Sequence, residues 1–215
     1  MKRLFLIIIA ALALLSSCAA PTQTAPPSVT ATVSPAAEQG KYQTDPLPSD
    51  VPEPVEPQDV SVDDESFTVT LTVRCDTLLD KLDLLDSDKR ELVPVGGIIL
   101  PVTTVTVYDG ESVFTVLQRE LKRAKIHLEF MNTPLYNSAY IEGINNLYEL
   151  DAGELSGWVY KVNDLSPNYG CSRYQLKAGD AVEWLYTCDL GRDVGATGGI
   201  GGAGEQLPID DGDAT

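Results

Sequence analysis

Apolar and polar residues alternate with a period of two over Ser66–Arg74 (SFTVTLTVR), where Phe67, Val69, Leu71 and Val73 interleave with Thr68, Thr70, Thr72 and Arg74. That pattern predicts a strand with one buried face. From Asp76 to Glu91 the spacing of Leu78, Leu79, Leu82 and Leu85 predicts a helix, with Asp76 as its N-cap. Gly96-Gly97 then turns the chain into a second strand, Ile98 to Tyr108, broken or bulged at Pro101 because proline has no N–H to donate. Ser112 caps a second helix, in which Val113, Val116, Leu117, Leu121 and Ala124 keep the i, i+3, i+4 rhythm of one apolar face. Lys122, Arg123 and Lys125 fall in its last turn, where positive charge suits the helix dipole. Further strands are expected over 126–131, 141–149, 159–163 and 181–187, the last entered through a turn at Lys177–Asp180. Two strands, a packed helix and then more strands predict an α+β fold, a β-grasp-like mixed sheet with one main helix.

The pattern is different at both ends. Lys2 and Arg3 precede an apolar run from Leu4 to Leu15, the charged and hydrophobic regions of a secretory signal. A spanning helix needs about 20 apolar residues, so this run is short for one. It ends in Leu15-Ser16-Ser17-Cys18, which resembles the lipobox of bacterial lipoproteins. That resemblance implies a signal peptide over 1–17, lipid on Cys18, and a protein anchored to the outer face of the cell membrane. Acyl chains contribute about 0.8 kcal/mol per buried methylene, so two chains hold such a protein stably. From residue 18 to 65 the chain is rich in Pro, Thr, Ala and acidic residues, with PSDVPEPVEPQD at Pro48–Asp59. This composition predicts a disordered tether. The domain is expected over 66–195, followed by a flexible Gly-rich, acidic tail over 196–215.

The formal charge of −17 excludes nucleic acid as an expected partner, because such a surface repels phosphate. With Cys18 lipidated, Cys75, Cys171 and Cys188 remain, and an extracytoplasmic setting favours a disulfide. A hairpin of Arg173–Leu176 against Ala181–Tyr186 would bring Cys171 opposite Cys188. Cys75 with Cys188 is the alternative if those two strands run side by side. No metal site is expected, since the cysteines are widely separated and His127 is the single histidine. His127 has no serine or cysteine at a spacing that suggests an activated nucleophile, and there is no phosphate-binding glycine loop. No catalytic residue is assigned, and a binding protein is expected rather than an enzyme.

Three stretches carry a further resemblance: GESVFTVLQREL (Gly110–Leu121), YIEGINNLYELDAGELSGWVYKVND (Tyr140–Asp164) and NYGCSRYQLKAGDAVEWLYTCDLG (Asn168–Gly191). Together, over about 104–195, they resemble the transcobalamin-like C-terminal domain, the β-domain of the cobalamin carriers transcobalamin and intrinsic factor. The same domain recurs in surface lipoproteins of Gram-positive bacteria. The resemblance implies a corrinoid such as cobalamin as ligand, and by position it implicates Trp158, Tyr160 and the loop Pro167, Asn168, Tyr169, Gly170 to Tyr174. The carriers also have a large helical domain, and here a tether stands in its place.

Trp158, Tyr160, Trp184 and Tyr186 also have a structural reading, because half-buried strands need such residues in their core. The loop Leu165–Ser172 and a second polar-aromatic loop, Asn132–Ser138 (NTPLYNS), are the other places where binding is expected. A small-ligand module predicts one concave aromatic site formed by Trp158 and residues 168–174. A surface interaction or adhesion module, binding a protein partner, predicts a flat exposed patch or an open sheet edge.

Overall fold

The computed structural model describes Leu47 and residues 50–196. The signal segment, Cys18, the tether over 18–46 with 48 and 49, and the tail from 197 onward lie outside the described residues.

Strands β1 (Ser66–Arg74) and β2 (Ile98–Tyr108) pair antiparallel, with Phe67 opposite Val107 and Leu71 opposite Thr103. The register then slips to Val73–Leu100 and Arg74–Ile98, so the ladder passes over Pro101 and Val102 as a bulge. Proline sits where the ladder can do without its missing N–H. Helix α1 (Val113–Ala124) follows, and the backbone N–H of Thr115 donates to Ser112 Oγ at 3.2 Å. The Ser112 N–H in turn donates to Thr115 Oγ1 at 2.9 Å, a capping box with threonine in place of the usual Glu or Gln. The helix lays Val113, Val116, Leu117 and Leu121 into the core and ends at Lys125 in the left-handed region.

Three strands then form a small antiparallel sheet: β3 (Leu128–Thr133), β4 (Ser138–Ile144) and β5 (Leu147–Tyr148). The chain returns through β6 (Gly157–Val162) and ends on β7 (Ala181–Thr187). The main sheet has the order β2-β1-β7-β6, with β7 parallel to β1 and antiparallel to β6. The first and last strands therefore lie side by side at its centre, the mixed arrangement of a β-grasp. One continuous core joins Val69, Leu71 and Val73 of β1 to α1, to Ile141 and Ile144 of β4, and to Trp158, Tyr160 and Trp184.

Four expectations are corrected. The helix over 76–91 is absent: Asp76–Leu78, Leu82–Leu84 and Arg90–Leu92 form separate 3-10 turns. Its leucines do not share one face, since Leu78 and Leu85 are buried while Leu79 and Leu84 are exposed, and interspersed aspartates favour turns. The strand expected over 141–149 is two strands joined by Asn145-Asn146, both at positive φ (54° and 60°), a two-residue hairpin turn that asparagine tolerates. Residues 173–176 do not pair with β7, because β6 and β1 occupy both of its edges. Finally, the packed unit begins before Ser66: Val51 packs on the core, and the Val55 N–H donates to Arg173 O at 2.9 Å. It also extends to Ala196, which is buried with Val159 and Leu185 on the outer face of the sheet.

That outer cover explains β6. Its alternation suggested one buried face, yet Trp158, Val159 and Tyr160 are all buried because residues 194–196 close the far side.

Candidate functional site

The structure puts the aromatic residues singled out in the sequence into the core. Trp158 is fully buried, donates from Nε1 to Leu147 O at 2.9 Å and meets Tyr186 edge-on at 5.2 Å. Tyr160 lies tilted against Trp184 and donates its hydroxyl to Tyr169 O at 2.8 Å. Tyr169 stacks on Tyr174 and donates to Pro52 O at 2.7 Å. Pro167 and Gly170 are also buried, while Asn168 is half-buried. The tyrosines hold the 165–176 loop onto the domain from beneath, so Trp158 and this loop do not line one concave aromatic surface. Trp184 is buried as well, and its Nε1 has no hydrogen-bond partner among the described residues.

Burial raises the phenol pKa of Tyr160, Tyr169, Tyr174 and Tyr186 above the ordinary 10.0, to about 12 for Tyr174. An acid whose folded pKa is raised stabilises the fold fully below its unfolded pKa, and that stability is lost as pH rises above it. Alkaline unfolding is therefore expected to begin above about pH 10. A pH-resolved denaturant series that stayed flat from pH 9 to pH 12 would contradict it.

A concave surface does exist where the second loop lies. The stretch expected as a loop is shorter than Asn132–Ser138: Asn132 and Thr133 end β3 and Ser138 begins β4, and these three with Pro134, Asn137, Ala139, Ser172 and Pro57 line an open cleft of about 340 Å³. The loop is shaped locally: Tyr136 N–H donates to Thr133 O, Thr133 Oγ1 donates to Ser138 O at 2.7 Å, and Asn137 takes a φ of +50°. Reciprocal bonds fix its floor, from Ser172 N to Ser138 Oγ at 3.1 Å and from Ala139 N to Ser172 Oγ at 3.0 Å. Ser172 therefore brings the first loop to the second. Nothing local in the sequence joins these two stretches, which meet because β4 runs against residues 171–173.

The remaining wall comes from the end of the tether. Pro57 opens a 3-10 turn, Pro57–Asp59, that follows extended backbone at Glu56. Glu56 accepts from Arg173 Nη2 at 2.8 Å and from Asn137 Nδ2 at 2.5 Å, and Asn137 Nδ2 also donates to Gln58 Oε1 at 2.8 Å. Arg173 has only 4% of its side chain exposed. Composition gave no sign of this docking, which depends on one carboxylate meeting a buried guanidinium.

The open edge of β2 is blunted. Asp109 N–H donates to Glu65 O, which fixes the ladder so that Thr104, Thr106 and Tyr108 direct their backbone groups away from β1. Arg119 Nη2 takes the Thr106 carbonyl at 2.6 Å, and Glu111 takes the Tyr108 N–H at 2.9 Å. Arg119 and Glu111 also pair with each other. With the Pro101 bulge further along, the edge offers little uninterrupted ladder to another strand. Arg119→Ala is expected to uncap it, giving concentration-dependent association in sedimentation velocity; a variant that sediments like the parent chain at every concentration would refute this.

Cys75, Cys171 and Cys188 are free thiols, so the pairing expected for Cys171 and Cys188 is not made. That pairing rested on the hairpin that β6 displaces. Cys171 instead packs on β4, with Sγ 3.4 Å from Ala139 O. Burial pushes the Cys75 and Cys171 thiols up to about 12, leaving little thiolate at neutral pH. His127 meets Glu129 at 3.7 Å and the Tyr148 ring, whose hydroxyl lies 3.4 Å from its Nε2. The cleft is lined by neutral amide and hydroxyl groups and proline rings; Thr133, Ser138, Ser172 and the Asn137 NH2 are engaged in bonds within the protein.

Residues 110–187 match the family model described as a domain of unknown function, DUF4430. This region runs from Gly110, before the cap of α1, to the last residue of β7, and so includes the cleft apart from Pro57. No curated protein matches the chain. Among the solved structures that match is haptocorrin in complex with Cbi, at 16% identity and a TM-score of 0.44. The match covers 59% of this chain and 26% of haptocorrin, so the chain spans about a quarter of that protein's length.

Proposed function

We propose that the chain is a non-catalytic protein, lipid-anchored to the outer face of the cell membrane, whose domain binds a small molecule in the cleft between the NTPLYNS stretch and Ser172. The observation that carries this reading is the cleft itself, an open concavity lined by Asn, Ser, Thr and Pro residues with no charged side chain in its lining. The Lys2-Arg3 to Cys18 segment supports the anchor. The stretches that resemble the transcobalamin-like domain make a corrinoid the first ligand to test, and amide-bearing corrin side chains suit the Asn and Ser lining. A cavity of about 340 Å³ is at the lower end for small-molecule sites, which span about 300–1,000 Å³. It accepts an edge of a corrin ring and leaves the rest uncovered.

The test is a titration of the purified chain with cobalamin and cobinamide, followed by the corrin absorption spectrum. Saturable binding is expected, weakened about ten-fold by Asn132→Ala, the loss of about 1.4 kcal/mol. Asn132 is exposed, so this change leaves the fold intact. Absence of binding, or binding indifferent to Asn132, would remove the corrinoid from this cleft.

A further inference from the structure

The segment that walls the cleft is held as a bound peptide is held. Residues 52–58 (PEPVEPQ) lie outside both sheets, and their polar contacts to the domain are of three kinds. A main-chain bond runs from Val55 N to Arg173 O at 2.9 Å. A side chain reads the backbone, from Tyr169 OH to Pro52 O at 2.7 Å. The Glu56 carboxylate is shared between Arg173 and Asn137, which also holds Gln58. Main-chain bonds to an extended strand, joined to one charge-assisted anchor, are the means by which peptide-binding domains recognise acidic motifs. Proline after the anchor keeps the peptide extended before it binds and lowers the entropy lost on docking.

The receptor side is built, too. Arg173 sits on a 3-10 turn, and with the segment in place both it and Tyr169 are nearly fully buried, each giving a polar atom to the segment. In a chain of net charge −17, this guanidinium is a fixed positive point suited to a carboxylate.

We propose that the groove formed by Tyr169, Arg173 and Asn137 is a recognition site for an extended peptide with a glutamate immediately before a proline. Residues 52–58 occupy it in cis, and a partner protein presenting the same Glu-Pro chemistry displaces them. Because Pro57 forms part of the cleft wall, exchange of the segment also opens the cleft. The tethered segment competes at an effective concentration of about millimolar, so the intact chain binds such partners weakly until the cis contact is loosened.

The test uses the full chain and a fluorescent peptide of residues 51–59, read by anisotropy. Glu56→Gln in the chain weakens the cis segment and is expected to tighten peptide binding at least about ten-fold, or about 1.4 kcal/mol. The same change in the peptide is expected to weaken binding by a similar factor. Equal affinities for parent and variant chains, or for the two peptides, would overturn the proposal. So would Glu56→Gln chains that bind no peptide yet associate with one another, which would assign the groove to exchange between copies. Should the variant fail to fold, the parent chain decides: excess peptide must shift the amide resonances of Val55 and Asn137, and unchanged resonances refute it. This readout is separate from corrinoid binding, so either result stands alone.

Discussion

Trp158→Ala is expected to unfold the domain or nearly so. The side chain is fully buried at the centre of the core, and large-to-small aromatic changes at such positions cost about 3–5 kcal/mol. The substitution also strands the Leu147 carbonyl, which the indole N–H satisfies, and removes the edge-on contact with Tyr186. Whole domains are stable by only about 5–15 kcal/mol, so one change takes a large share. Urea unfolding followed by far-UV circular dichroism should show the midpoint fall sharply or vanish. A Trp158→Ala chain with the parent's midpoint that had merely lost a ligand would place the indole in a binding site and contradict the assignment to the core.

The second large effect is expected at Gly97. Its φ of +67° is in the left-handed region, where a residue with a Cβ loses about 1–2 kcal/mol. The space is also closed: a Cβ there would lie 2.3 Å from the Cα and 2.6 Å from the N of Asp76. These are main-chain atoms at the end of β1, tied to the start of β2 by the bond from Cys75 N to Gly97 O at 2.7 Å. Gly97→Ala must therefore separate the two strands where they converge, and a loss exceeding that of Gly96→Ala is expected. Gly96 shares the positive φ of +76° but has nothing within 4 Å of its Cβ position, so it isolates the backbone term. Equal thermal midpoints for the two variants would show that the close approach to Asp76 does not matter.

Much of the fold was legible because its pattern is local. SFTVTLTVR and AVEWLYT alternate, and β1 and β7 begin and end where that alternation does. Ser112 and the apolar face after it set both ends of α1, and Pro101 marks the bulge. The misreadings came where local pattern leaves the answer to tertiary structure. DTLLDKLDLLDSDKRE has leucines at helical spacing, but it forms three separate turns, and of its leucines only Leu78 and Leu85 are buried. Asn145-Asn146 reads as strand interior until both residues take positive φ.

The site was legible in pieces. The resemblance directed attention to Trp158, Tyr160 and the 167–174 loop, where aromatic residues are conspicuous in sequence and are used to build the core. The NTPLYNS loop was named, and Ser172 lies in the loop beside it, but their meeting across β4 is a long-range fact. The role of Glu56 was hidden because its neighbours have the composition of a free linker. Arg173, 117 positions away, holds its carboxylate, and Tyr169 and a main-chain bond at Val55 hold the residues beside it.

The central claim is that this domain binds through the cleft at Asn132–Ser138 and Ser172, with its aromatic residues serving the core. The most direct measurement is a heteronuclear NMR titration of the isotope-labelled chain with cobinamide. The account predicts saturable shifts in the amides of Thr133, Asn137, Ser138 and Ser172, with the Trp158 and Trp184 indole resonances unmoved. Shifts confined to the indoles, or none up to about millimolar ligand, where binding is worth only about −4 kcal/mol, would contradict it.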